Sequence, residues 1–161
     1  MQVHTTRFGN IEADEASIIT FTQPIPGFQE FRRFILLPGP EEGGLKWLQS
    51  TESAELAFIL MDPTVVVPEY TVDVRSHDLA ELSAKTLDDL DMYTFVVVPE
   101  DRTQIRTNLR APVLLNPTKR LAKQIILDKS DYPIQYFLAK TSQTTEANEE
   151  ISHARTDPPG R

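Results

Sequence analysis

Residues 107–127, T-N-L-R-A-P-V-L-L-N-P-T-K-R-L-A-K-Q-I-I-L, constrain what this chain can fold into more tightly than any other stretch. Two short apolar runs, 111–115 and 121–127, read as strands. Asn116-Pro117-Thr118-Lys119 between them has turn chemistry, because proline presets φ and the Asn side chain can bond the local backbone. Asn108 and Asn116 bracket the first strand, and Pro112 sits near its start, where a missing N–H matters least. No group here is poised to make or break a covalent bond. The best-specified part of the chain is a piece of β architecture, which points away from an enzyme.

The rest of the sequence is punctuated in the same way. Residues 1–8 and 18–21 read as an opening pair of strands with Gly9-Asn10 as a turn. Pro24, Pro26 and Gly27 make a corner. Phe28, Phe31 and Phe34 then recur at a spacing of three, compatible with a single helical turn or with plain core anchors. A strand over 34–37 stops at Pro38-Gly39-Pro40, and residues 41–44 form a hairpin loop. Leu45, Trp47 and Gln49 alternate with Lys46, Leu48 and Ser50, as a strand requires. The run 57–61 ends at Asp62-Pro63. Val65 to Val67 and the alternating Tyr70, Val72 and Val74 read as further strands. One short helix is expected over 76–82, capped by Ser76, with Leu79 and Leu82 on one face. Met92 to Val98 is strongly β-prone, and strands over 104–115 and 132–138 complete the series. Nine or ten short strands and one helix imply an all-β, mainly antiparallel sandwich or barrel.

A chain of 161 residues is long enough for one well-buried core and short for two. Twelve prolines against six glycines suit short strands with rigid corners. There is no cysteine, so disulfides and thiolate metal sites are excluded. With no apolar signal-like segment at the N-terminus and no run near the ~20 residues of a membrane span, a soluble cytoplasmic protein is expected. Beyond Lys140 the composition turns polar and ends in Pro-Pro-Gly. Residues 1–140 are therefore expected to form a single domain and residues 141–161 a disordered tail.

The net charge of −8 is uneven. Residues 1–100 carry a balance of −11 and residues 101–140 a balance of +5. The acidic larger part argues against nonspecific nucleic-acid binding and would speed encounter with a basic partner, although it also serves simple solubility. His4, His77 and His153 lack metal-ligand spacing. No G-x-S-x-G, P-loop or G-x-G-x-x-G occurs. The cluster Asp88, Asp89 and Asp91 lacks the central Gly and distal Glu of a calcium loop, so a solvated loop is expected. Arg102, Arg106, Arg110, Lys119, Arg120 and Lys123 are the basic part. Residues 101–131 hold no aromatic, whereas single-strand binders interleave rings with such charges.

The series I-P-G-F near residue 25, L-K-W-L-Q-S at 45–50, A-F-I-L-M-D-P at 57–63, P-E-Y at 68–70, V-V-V-P-E-D at 96–101 and T-N-L-R-A-P-V-L-L-N with Q-I-I-L resembles the FliW family of bacterial flagellar assembly factors. The likeness covers about residues 3–138. It implies a compact β-barrel-like fold without catalytic activity or cofactor, and a factor, monomeric when free, that binds flagellin and the RNA-binding translational repressor CsrA in competition. Free factor would sequester CsrA and leave flagellin mRNA translated; accumulating flagellin would release CsrA to repress it. Gln49, Asn108 and Asn116, polar and near strand ends, are expected to form or brace an exposed contact surface. Glu41, Glu42, Asp73, Asp88, Asp89 and Asp91 are the expected electrostatic approach face. Two other readings stand beside this one: a barrel that binds a small molecule in its interior, and an RNA-binding β module using residues 102–123.

Overall fold

The structure is a computed structural model and describes residues 1–39 and 44–138. The expected hairpin-loop residues Glu41, Glu42 and Gly43 and the expected tail 141–161 lie outside these described residues. Among the described residues the chain forms eleven strands: β1 (Gln2–Thr5), β2 (Gly9–Glu12), β3 (Ile19–Phe21), β4 (Arg33–Pro38), β5 (Lys46–Ser50), β6 (Ala57–Met61), β7 (Asp91–Val97), β8 (Arg106–Thr107), β9 (Val113–Asn116), β10 (Leu121–Gln124) and β11 (Tyr136–Phe137). One short helix, α1 (Ser76–Glu81), accompanies several 3₁₀ turns.

Seven strands close on themselves in the order β7-β6-β5-β4-β3-β10-β9, with β9 returning to pair with β7. Every pairing in the ring is antiparallel except β10 with β3. Closure removes the free edges that an open sheet would leave. The expected hairpin across Asn116 forms, with Leu121 opposite Asn116 and Gln124 opposite Val113. Strict alternation sends one set of side chains inward. Phe21, Phe34, Leu48, Phe58, Leu60, Phe95 and Val113 form a single buried cluster drawn from six of the seven strands, and Ala122 adds the seventh. Phe58 lies at its centre, 5.0 Å from Phe95 and 6.0 Å from Phe34 between ring centroids. Tilted and edge-on rings at this spacing add to the area they bury.

The outward set is also covered, which explains why β6 is buried on both faces. Trp47, Ile59, Met61 and Val96 pack with Ile105 and Leu138, beneath Phe8 and Tyr136. Phe8 meets Trp47 edge-on at 5.5 Å, and the Arg7 guanidinium sits 4.8 Å from the indole centroid. The β1–β2 hairpin covers Ile35 and Ile18 with Val3. On another side, α1 and the chain around it place Leu82 over Leu114 and Ile125.

Several expectations need correction. The opening strand pairs with residues 9–12, not with 19–21, because Gly9 at φ 70° lets the chain reverse one step earlier. Phe28 and Phe31 lie in successive turns and pack from the rim against the core, while Phe34 belongs to β4. Pro63–Val65 is a 3₁₀ turn capped by the Asp62 side chain, and residues 70–75 form no strand despite their alternation. Ser76 is the first helical residue; Arg75 occupies the cap position and makes no side-chain capping bond. The single strand expected over 104–115 is split. Thr107 faces Val96 and Val113 faces Tyr93, so six residues on one strand span three on the other. The excess is drawn inward by buried Leu109 and held by the Asn108 carboxamide, which accepts from Arg110 N–H at 2.9 Å.

Candidate functional site

The three polar residues expected near strand ends are all buried, and their side chains brace backbone. On β5, the Gln49 carboxamide NH₂ donates to the carbonyls of Ser50 at 3.0 Å and Leu56 at 3.2 Å, holding the turn before β6; its Oε1 is buried without a partner among the described residues. At the end of β9, Asn116 donates through Nδ2 to Leu82 O at 2.8 Å and accepts from Thr118 and Lys119 N–H, both at 3.1 Å. It thus locks its own turn and ties it to the end of α1. Asn108 shapes the excursion between β8 and β9. None of these three presents its side chain to solvent; what they brace is backbone.

The acidic residues divide between two places. Asp88 and Asp89 are exposed in the 3₁₀ turn Leu87–Asp89, and Asp91 is exposed at the start of β7. Asp89 accepts from Lys85 and Thr86 N–H at 2.8 and 3.3 Å, and these bonds hold its carboxyl below the ordinary value. Asp88 and Asp91 remain the projecting charges of that loop. Asp73 is exposed on residues 71–75, a separate segment that runs into α1. Glu41 and Glu42 lie outside the described residues.

Sequence patterning missed the network that seats α1. Lys123 on β10 reaches Asp78 Oδ1 at 2.6 Å and Glu81 Oε1 at 3.0 Å, both on the helix. Thr22 donates to the other Glu81 oxygen at 2.5 Å. The hydrogen bonds from Thr22 and then Lys123 lower the Glu81 pKa. Burial alone would lower the Lys123 pKa, but its bonds to Asp78 and Glu81 outweigh it and raise the value. The signal available in the sequence was the i, i+3 spacing of Asp78 and Glu81, which puts both on one helix face. Their partner, 42 residues beyond Glu81, carries no local mark.

Residues 71–75 and 123–132 border an open groove of about 730 Å³ beside this network. Tyr132 lines its end and meets Tyr70 ring to ring at a tilt, 4.4 Å between centroids. Burial, and secondarily Tyr132, raises the Tyr70 hydroxyl far above the usual tyrosine range. It therefore stays a neutral donor, bonded to Leu109 O at 2.6 Å. The barrel interior, by contrast, is filled by the phenylalanine cluster. Arg106 and Arg110 do not share a strand face, since β8 ends between them. Lys123 is already neutralised by two carboxylates. Among the described residues no group of three His, Asp or Glu is placed to hold a metal, and no helix is long and apolar enough to cross a membrane. What the architecture offers is surface: a rigid closed barrel with an acidic loop at 88–91 and a groove along α1.

Comparison with known proteins agrees with the sequence resemblance. The family model described as FliW protein matches residues 2–138. The flagellar assembly factor FliW of Natranaerobius thermophilus is 38% identical over 137 residues, covering 84% of this chain and 91% of that one. The Moorella thermoacetica protein of the same name is 37% identical over 143 residues, covering 88% and 90%. The Caldicellulosiruptor saccharolyticus protein is 35% identical over 136 residues, covering 84% and 89%. A crystal structure of the flagellar assembly factor FliW superposes with a TM-score of 0.79 at 32% identity, covering 88% of this chain and 99% of that chain.

Proposed function

The chain belongs to the FliW family of flagellar assembly factors, and on that premise we propose that it is a non-enzymatic cytoplasmic partner switch. It binds flagellin and the translational repressor CsrA in competition, acting as a chaperone toward the first and an antagonist of the second. When flagellin is scarce the factor holds CsrA and relieves repression of flagellin mRNA; when flagellin accumulates it takes the factor and frees CsrA. The observation that carries this reading is the agreement between family match and architecture over residues 2–138. A closed barrel with a filled interior has its outer surface to work with, and that surface carries the acidic 88–91 loop. Charge complementarity of this kind speeds encounter and fixes orientation.

The test is reconstitution. CsrA bound to a flagellin-mRNA leader is mixed with the full chain, and free RNA is followed; flagellin is then added. Release of RNA by the factor, reversed by flagellin, is the expected result. RNA that stays bound at every concentration of factor contradicts the antagonism. A direct shift of the RNA by the factor alone would instead support an RNA-binding β module.

A further inference from the structure

Two segments run past each other beside α1 without pairing. Thr71 N–H donates to the Tyr132 hydroxyl at 3.0 Å, Arg75 meets Asp128 at 3.7 Å, and Asp78 meets Lys123 at 2.6 Å. As one chain advances the other recedes, so the two are antiparallel, joined at intervals by side chains. The groove of about 730 Å³ lies between them.

Backbone groups on both walls are left without a hydrogen bond. Among the described residues, no hydrogen bond is made by the N–H groups of Val72, Asp73, Val74 or Arg75. On the other wall, Ile125 and Leu127 N–H donate to Pro112 and Arg110 carbonyls at 2.9 and 2.8 Å, continuing the β9–β10 ladder. Backbone groups of a strand alternate in direction, so those of Ile126 face the opposite way, away from that ladder. On that side β10 is partnered by β3 only at Leu121 and Ala122. Ile126 is also 59% exposed, the most exposed large apolar side chain among the described residues. Two segments with unpaired backbone groups on either side of one trough, with aliphatic side chains along it, make a place for an added strand.

We propose that this groove takes one extended segment of a partner polypeptide as a strand between residues 71–75 and 125–128, going beyond the partner-switch reading by naming a contact face and the form of the ligand. Main-chain pairing gives affinity in such strand addition, and alternate side chains give selectivity. The groove-lining aliphatics Val72 and Ile126 select aliphatic residues at alternate positions, with Val74, packed on the core below, closing the floor. Lys123 is matched by two carboxylates and Arg75 by Asp128, whereas Asp73 makes no ion pair among the described residues. The ligand therefore carries a basic residue on the Asp73 side.

The experiment pans a library of synthetic ten-residue peptides, aliphatic at alternate positions with one variable charged site, against the full chain. Amide hydrogen exchange then maps the selected peptides. The expected result is selection of peptides with Lys or Arg at the variable site, which slow exchange at alternate amides within Val72–Arg75 and at Ile126 at least tenfold. Asp73→Lys and Ile126→Asp, both at exposed positions, should each weaken their binding at least tenfold while leaving the thermal transition in place. No selected peptide, or peptides that leave these amides unchanged, overturns the proposal. So does a synthetic peptide of residues 139–161 that protects the same amides, since the groove would then belong to this chain's own C-terminal segment. Flagellin and CsrA binding are measured separately: peptides that bind when neither protein does would leave the groove standing and remove the partner switch.

Discussion

Asn116 shows most clearly how one side chain can organise three parts of this molecule. Its carboxamide spends both ends on backbone, one on the buried carbonyl of Leu82 and one on the turn before β10. Asn116→Ala is expected to cost about 1–3 kcal/mol in urea unfolding, because a buried carbonyl and two turn N–H groups lose their partner. A loss under about 0.5 kcal/mol would show that water replaces the side chain there. Lys123→Ala should cost more, about 3 kcal/mol, since it leaves two carboxylates facing each other in a largely enclosed site. The pH dependence has a defined sign. Glu81, with its pKa depressed, contributes stability that is present above the ordinary carboxylate value and fades as pH falls through its lowered one. Lys123, with its pKa raised, contributes stability present below the ordinary amine value and lost as pH rises through its own. Unfolding measured against pH should therefore show the cost of Lys123→Ala undiminished near neutrality and shrinking on the acid limb. At this scale the sequence was only partly legible. Carboxamide residues beside strand ends marked where brackets are needed, but composition says nothing about which way a carboxamide turns, and all three marked residues, Gln49, Asn108 and Asn116, are buried.

Elements were more legible where local chemistry and burial agreed. β5 falls where alternation places it, β6 where an apolar run ends at Asp62-Pro63, and β7 where β-prone residues run up to Pro99. The pattern failed where a strand-like run meets no ladder. Residues 70–75 alternate as a strand should, yet no neighbouring segment pairs with their backbone, and they form no strand. Likewise, the run 104–115 carries no break that marks where one strand ends, but three surplus residues must leave the ladder, and the Asn108 carboxamide holds their turn. The end of α1 offers a direct check. Ser83 sits just past the helix at φ 55°, a position where glycine is the usual residue because side chains are strained there. Ser83→Gly should raise stability by up to about 1 kcal/mol, seen as a shift of the urea midpoint with unchanged slope. Gly39 poses the opposite case. A Cβ there would lie 2.1 Å from the Leu45 carbonyl oxygen, so Gly39→Ala should force the β4–β5 connection apart and lower the midpoint.

For the whole molecule, closure of seven strands around a ring cluster leaves recognition to the outside, and the charge distribution governs how partners arrive. Association with CsrA should slow as salt rises, because interactions between exposed charges are screened beyond about 8 Å at physiological ionic strength. Asp88→Lys with Asp91→Lys should lower the association rate about tenfold at low salt and change dissociation little; equal rates in parent and variant would remove the 88–91 loop from the approach face. Asp89 is kept in that variant, since it closes the turn that carries Asp88 and leads into Asp91. The fold class was readable from punctuation and alternation alone, whereas the partners rest on the motif series and the family match. The most direct test of the central claim is isothermal titration of the full chain with its cognate CsrA, repeated with flagellin already bound. The account predicts a well-defined binding isotherm that flagellin abolishes. CsrA heat that is unchanged by saturating flagellin, or absent with both partners at low salt, would contradict it.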